Sequence, residues 1–165
     1  MRIVSRGTPV GRPLACALLA VIALATPAMA EEYAHPSGFK VTLPGNWKVE
    51  EGDVLTASDP AEEVVLAFFV VGDAETLEAA LNALDQALSP FIQDVQAGEP
   101  EVTKVNGLDA VVVDGTGKIE GQAVEIGIGI FAKDGVACVV FGAAESAKYA
   151  KHKPAIEKII HSVKK

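Results

Sequence analysis

Residues 101–144 read EVTKVNGLDAVVVDGTGKIEGQAVEIGIGIFAKDGVACVVFGAA, and this stretch decides the fold. Asn106-Gly107 separates residues 102–105 from 108–113, and Asp134-Gly135 separates 126–132 from 136–144. Both dipeptides suit two-residue hairpin loops, whose central positions need positive φ. Residues 115–121, Gly-Thr-Gly-Lys-Ile-Glu-Gly, link the middle pair. The stretch therefore predicts a four-stranded antiparallel meander. Ala110-Val-Val-Val113 and Ala137-Cys-Val-Val-Phe141 are apolar at successive positions, so these strands need cover on both faces. Gly127 and Gly129 share one strand face, opposite Ile126, Ile128 and Ile130. Missing side chains there let a helix approach closely, or leave a shallow groove.

The flanks extend this pattern. Upstream, Val64-Val-Leu-Ala-Phe-Phe-Val-Val71 is another strand with two apolar faces. Residues 39–43 alternate apolar and polar as a half-buried strand, which Pro44-Gly45-Asn46 ends with a turn. Short strands follow at 47–50 and 54–58. Between residues 71 and 101, Leu77, Leu81, Leu84, Leu88, Phe91 and Val95 recur at steps of four and three. That is one stripe of a long amphipathic helix, with Asp73 placed as its N-cap and Pro90 kinking or ending its regular part. Residues 146–165 predict a closing helix. Tyr149, Ile156, Ile159, Ile160 and Val163 face inward, lysines face water, and the helix is regular only from Pro154. One helix covers only part of one sheet face. The two helices should therefore lie on opposite faces of an antiparallel sheet, an α/β/α sandwich of the α+β class.

The first thirty residues follow the export pattern. Arg2, Arg6 and Arg12 precede an apolar run from Leu14 to Ala25, and Ala28-Met29-Ala30 supplies small residues at the positions a signal peptidase reads. The run is about a dozen residues, too short for roughly 30 Å of hydrocarbon. The expectation is a cleaved signal peptide at 1–30, with cleavage after Ala30, and a single domain at 31–165, periplasmic or secreted. Cys16 precedes its apolar run instead of following it, which argues against a lipoprotein cysteine. All Arg lie in the leader. The mature chain then holds 14 − 3 = 11 basic residues against 22 acids, a net charge of −11. Such a charge disfavours nucleic acid and anionic membrane surfaces.

The segment Gly38-Phe-Lys-Val-Thr-Leu-Pro-Gly-Asn-Trp47 resembles the opening of the PsbP/Mog1-like family. So does the order that follows: sheet, helix, Val105-Asn-Gly-Leu-Asp-Ala110, hairpins, and a last helix through Ile159-Ile-His-Ser-Val163. The likeness covers roughly residues 33–163. It implies an antiparallel sheet of six or seven strands with helices on both sides. Family members include photosystem II extrinsic subunits, a nuclear transport factor that binds a small GTPase, and exported bacterial proteins of unassigned role. Most are binding or assembly factors. No shared catalytic constellation comes with the fold, and no site residue is carried across.

The residues themselves predict no catalytic, cofactor or metal site. His152 and His161 stand nine apart, on opposite sides of one helix, and His35 precedes Pro36 at the start of the domain. Asp53, Asp59, Glu62 and Glu63 cluster without the spacing of a calcium loop. Residues 115–121 look faintly like a phosphate loop but open no helix, so a turn is the better reading. Cys138, the only thiol of the mature chain, lies in an apolar strand and reads as a small buried hydrophobe. Trp47 either plugs one end of the core or, exposed beside Tyr33 and Phe39, forms a contact patch. The expected function is a non-catalytic domain binding a protein or envelope component. The alternatives are a carrier of a small apolar ligand, with a cavity between sheet and helix, and a hydrolase, which would need titratable groups converging in a cleft.

Overall fold

The meander forms as its turns dictate. A computed structural model describes residues 29–72 and 74–165. In it β7 (Glu101–Val105), β8 (Leu108–Ile119), β9 (Gln122–Lys133) and β10 (Val136–Glu145) succeed one another antiparallel. The hairpin loops are Asn106-Gly107 (φ 49° and 80°), Glu120-Gly121 (φ 50° and 82°) and Asp134-Gly135 (φ 53° and 73°). Positive φ at both positions matches the right-handed twist of the flanking strands. The middle loop is shorter than expected. Residues 115–119 continue β8, and only Glu120 and Gly121 turn the chain.

β10 also pairs with β5 (Val64–Val70), β5 with β4 (Val54–Ser58), and β4 with β3 (Lys48–Glu50), all antiparallel. At the far edge β8 is long enough to hold two partners. β7 pairs along its first half, and β6 (Gln93–Ala97) pairs along its second. The result is an eight-stranded sheet ordered β3-β4-β5-β10-β9-β8-β6, with β7 also on β8. This is the expected α+β sandwich with a larger sheet than the six or seven strands implied. A separate hairpin, β1 (Ala30–Ala34) with β2 (Lys40–Pro44), adds a second small sheet.

Alternation along the central strands splits the core in two. On β10, Cys138 and Val140 face one side and Val139 and Phe141 the other. The first side receives α3 (Ser146–Ile160) and the β1–β2 hairpin, through Tyr149, Ile156, Ile159, Ile160, Phe39, Val41 and Leu43. The second receives α1 (Leu77–Asn82) and α2 (Leu84–Leu88), through Ala80, Leu84 and Leu88. The helices thus lie on opposite faces, as two strand faces of apolar residues require. Each large side chain fully buried this way contributes about 1.5–3 kcal/mol.

The two helical segments depart from expectation in opposite directions. The first is broken and shorter. The cap of α1 is Thr76, whose Oγ1 accepts the Ala79 N–H at 3.1 Å; the expected cap, Asp73, lies outside the described residues. The chain leaves helical geometry after Leu88, ahead of Pro90, and Val95 of the predicted stripe lies in β6 instead. The unpaired half of β8 offers these residues a ladder, and pairing overrides the helical period. The second segment is helical from Ser146, not from Pro154. Pro154 is exposed, so the hydrogen bond it removes leaves the Ala150 carbonyl to water, where the loss costs least.

The glycine face is filled. A Cβ on Gly129 would stand 2.6 Å from Ile160, and one on Gly127 3.0 Å from the Tyr149 hydroxyl and 3.1 Å from Ile156. Close helix packing, not a groove, explains these glycines. The expected signal peptide lies almost wholly in residues 1–28, outside the described residues. Ala30, the expected cleavage position, is the first residue of β1 and pairs with Pro44.

Candidate functional site

The apolar cleft lies on the face that α1 and α2 cover incompletely. Two short helices bury Ala80, Leu84 and Leu88 and leave Ala79, Ala83 and Ala87 along one wall. Their methyl groups cannot reach across to β4 and β5. The space left is about 650 Å³, with Val54, Phe69 and Val71 on the sheet side and Phe91 closing it after Pro90. Phe91 stacks on Phe69 with centroids 5.4 Å apart and tilts against Phe141 at 5.5 Å. The aromatic floor is therefore held in place by the core. Two other hollows have more polar walls. One, of about 480 Å³, is lined by Asp94, Gln96, Thr116 and Lys118. The other, of about 390 Å³, is lined by Glu99, Glu101, Asp114, Glu157 and His161.

The aromatic trio of the candidate contact patch differs in burial. Phe39 is fully buried, with the Lys165 ammonium 5.0 Å above its ring. Tyr33 and Trp47 are half-buried and pack against the α3-side core, and the Tyr33 hydroxyl donates to Glu31 at 2.9 Å. Burial withdraws Phe39 from the expected patch, while Tyr33 and Trp47 keep part of their surface exposed. Cys138 is fully buried, and desolvation pushes its thiol pKa far up, which leaves it protonated and inert.

The histidines have separate partners. His35 Nδ1 lies 2.8 Å from the Ser37 hydroxyl and its Nε2 3.2 Å from the Asp53 carbonyl. His161 Nδ1 lies 2.8 Å from the Glu157 carbonyl. His152 is the one that tertiary contact places among acids. Its Nε2 lies 3.0 Å from Glu63 Oε2, and Asp59, Glu63 and His152 bring potential ligand atoms within 4.8 Å of one another. Sequence reading missed this trio because the residues are 89 positions apart in the Glu63–His152 pair. Other bonds already engage the same donors. Glu63 binds the ammonium groups of Lys151 at 2.8 Å and Lys148 at 3.2 Å, and Asp59 Oδ1 accepts the backbone N–H groups of Glu63 and Val64. Hydrogen bonds from Lys151, His152 and Lys148 hold the Glu63 pKa down to about 2. This arrangement works as an ion-pair clamp between the β4–β5 turn and α3.

The structure resembles CyanoP, the PsbP of the cyanobacterium Synechocystis sp. PCC 6803, with a TM-score of 0.62 over 88% of this chain and 98% of that one, at 11% identity. The fold is PsbP-like. LpqN of Mycobacterium tuberculosis, described as involved in cell envelope biogenesis, shares this PsbP-like fold with a TM-score of 0.55, 13% identity, and coverage of 82% and 89%. PA94 of Pseudomonas aeruginosa, a protein of unknown function, aligns with a TM-score of 0.52, 15% identity, and coverage of 81% and 94%. No protein-family model matches the chain. No curated protein matches it in sequence. Among the described residues no helix is long and apolar enough to cross a membrane.

Proposed function

We propose that this chain is an exported, non-catalytic binding domain that takes an apolar group of a protein or envelope component into the cleft between α1–α2 and the sheet. The cleft supports this reading: its lining is mostly apolar, with half-buried Phe91 stacked on buried Phe69, whereas the other two hollows have more polar walls. Export rests on the leader pattern of residues 1–30, and the binding unit is the domain at 31–165. The stated involvement of LpqN in cell envelope biogenesis supports an envelope setting.

Octyl glucoside, used below its micellar concentration, is an uncharged apolar probe for this surface. The amide spectrum of the protein should shift at Val71, Ala79, Ala83 and Phe91, and Ala79→Trp, which fills the cleft from an exposed position, should abolish those shifts. Shifts elsewhere, or none, would overturn the assignment. A second reading, carriage of a small apolar ligand, draws on the same volume, which falls within the roughly 300–1,000 Å³ of small-molecule sites. Protein purified from its native host and weighed intact under non-denaturing conditions separates the two, because a carrier retains its cargo mass.

A further inference from the structure

The edges of the large sheet differ in protection. An edge strand presents unpaired N–H and C=O groups that can pair with another chain, and short length, charge or a bulge discourages this. β3 has three residues, with exposed Lys48 and Glu50 at its ends. At the far edge β6 is bulged between Gln93 and Gln96, where Asp94 takes φ 53°. β7 beside it keeps unbroken register with β8 from Glu101 to Val105. The Asn106-Gly107 turn closes on the Val105–Leu108 pair, so Val105, Thr103 and Glu101 direct their backbone groups to β8. Val102 and Lys104 direct theirs outwards, and these N–H and C=O groups have no backbone partner among the described residues. Pro100, which lacks an N–H, ends the run.

The two faces of β7 differ in chemistry. Val102 is 77% exposed, the most exposed large apolar side chain of any described strand, and stands opposite buried Val111. Lys104, on the same face, is held across the ladder by Asp109 at 2.5 Å. Glu101 and Thr103, on the α3 side, line the hollow of about 390 Å³ together with Glu99, Asp114 and Glu157. Lys153 pairs with Asp114 and Glu157, whereas Glu99 and Glu101 are exposed and have no ion-pair partner within 4.0 Å among the described residues. We infer that an extended segment of a partner polypeptide adds antiparallel to β7, with Lys or Arg facing Glu99 and Glu101 and apolar side chains beside Val102. This site is separate from the cleft, which lies against β4 and β5 at the other end of the sheet. Backbone bonds supply the docking, and alternate side chains supply the selectivity. A second copy of this chain fits less well. Pairing β7 with itself brings Glu99 and Glu101 of both copies to one junction, with no basic residue on that face of either strand.

Capped heptapeptides alternating Lys with Val test this. Directly opposed residues of an antiparallel pair share a face, and every second pair exchanges both backbone bonds. With its Val side chains on the Val102 face, the peptide donates its Val amides to β7 and turns its Lys amides away. At low salt it should shift the Val102 and Lys104 amides, slow their exchange, and bind about tenfold more tightly than a twin with Glu for Lys. N-methylation of the Val amides should weaken binding about tenfold, and of the Lys amides less than about twofold. Glu101→Gln should weaken it about threefold and leave the thermal melt unchanged. Equal binding of the Lys and Glu peptides overturns the inference, as do equal effects of the two methylation patterns, shifts away from β7, or no binding. Protection of the Val102 and Lys104 amides that rises with protein concentration alone overturns it in favour of a second copy. Octyl glucoside shifts at the cleft depend on neither result, so the two sites stand or fall separately.

Discussion

The two faces of the sheet are covered by the same means and to different ends. On one, a 15-residue helix lies against glycines that admit its side chains, and Ile156 and Val163 are fully buried. Its C-terminal end is tied down: the Asn106 side chain donates to the carbonyls of His161 and Val163, and Lys164 bridges to Lys40 of β2. The opposite face is covered by helices of six and five residues, with alanines where bulk would be needed to close the surface. A fully packed face contributes stability, while an incompletely packed one leaves apolar area for a partner.

Substitutions that act on one face only can break this contrast. Ile156→Ala, deep in the packed face, should cost about 3 kcal/mol in urea unfolding, because the rigid sheet cannot collapse into the cavity. A cost under about 1 kcal/mol would mean that this face is as loosely packed as the other. Asn106→Gly keeps a residue that accepts the turn's φ of 49° but removes both side-chain bonds to the end of α3. About 1 kcal/mol should be lost, with faster amide exchange confined to residues after Ile159.

The ion-pair clamp gives a smaller effect with a defined pH window. Glu63 has its pKa held near 2 in the folded state against an ordinary 4.5, so folding favours its ionised form. Its stabilising contribution is complete above about pH 4.5 and is lost as the pH falls from there towards 2. In thermal melts, Glu63→Gln should therefore differ from wild type near pH 6 and converge with it towards pH 2; a constant gap would show that the clamp is electrostatically idle. The smallest effect is expected on the cleft face. Ala79→Trp should change stability by less than about 0.5 kcal/mol while removing probe binding, since its side chain enters open space. A large loss there would show that the alanine wall is packing, not a site.

Much of this architecture is legible locally. Asn106-Gly107 and Asp134-Gly135 mark their hairpins because few residues tolerate the required φ. Ala137-Cys-Val-Val-Phe141 announces two covered faces because side chains alternate at every residue of a strand. The apolar spacing over residues 77–95 misleads for a related reason. It satisfies a helix throughout, yet residues 93–97 find the free edge of β8, a competition no local period reports. The Trp47 and Phe39 readings turned on burial, which depends on what lies opposite.

The sequence by itself determined most of the strands, the Asn106-Gly107 and Asp134-Gly135 turns, the existence of two amphipathic helical segments and the need for cover on both faces, since each follows from steric preference or periodicity within a few residues. Only the tertiary structure decided where that cover runs short. The cleft, the Glu63–His152 clamp and the anchoring of α3 by Asn106 each join parts of the chain far apart in sequence. Such meetings depend on how much surface each element presents once all are packed, a quantity that no single segment contains.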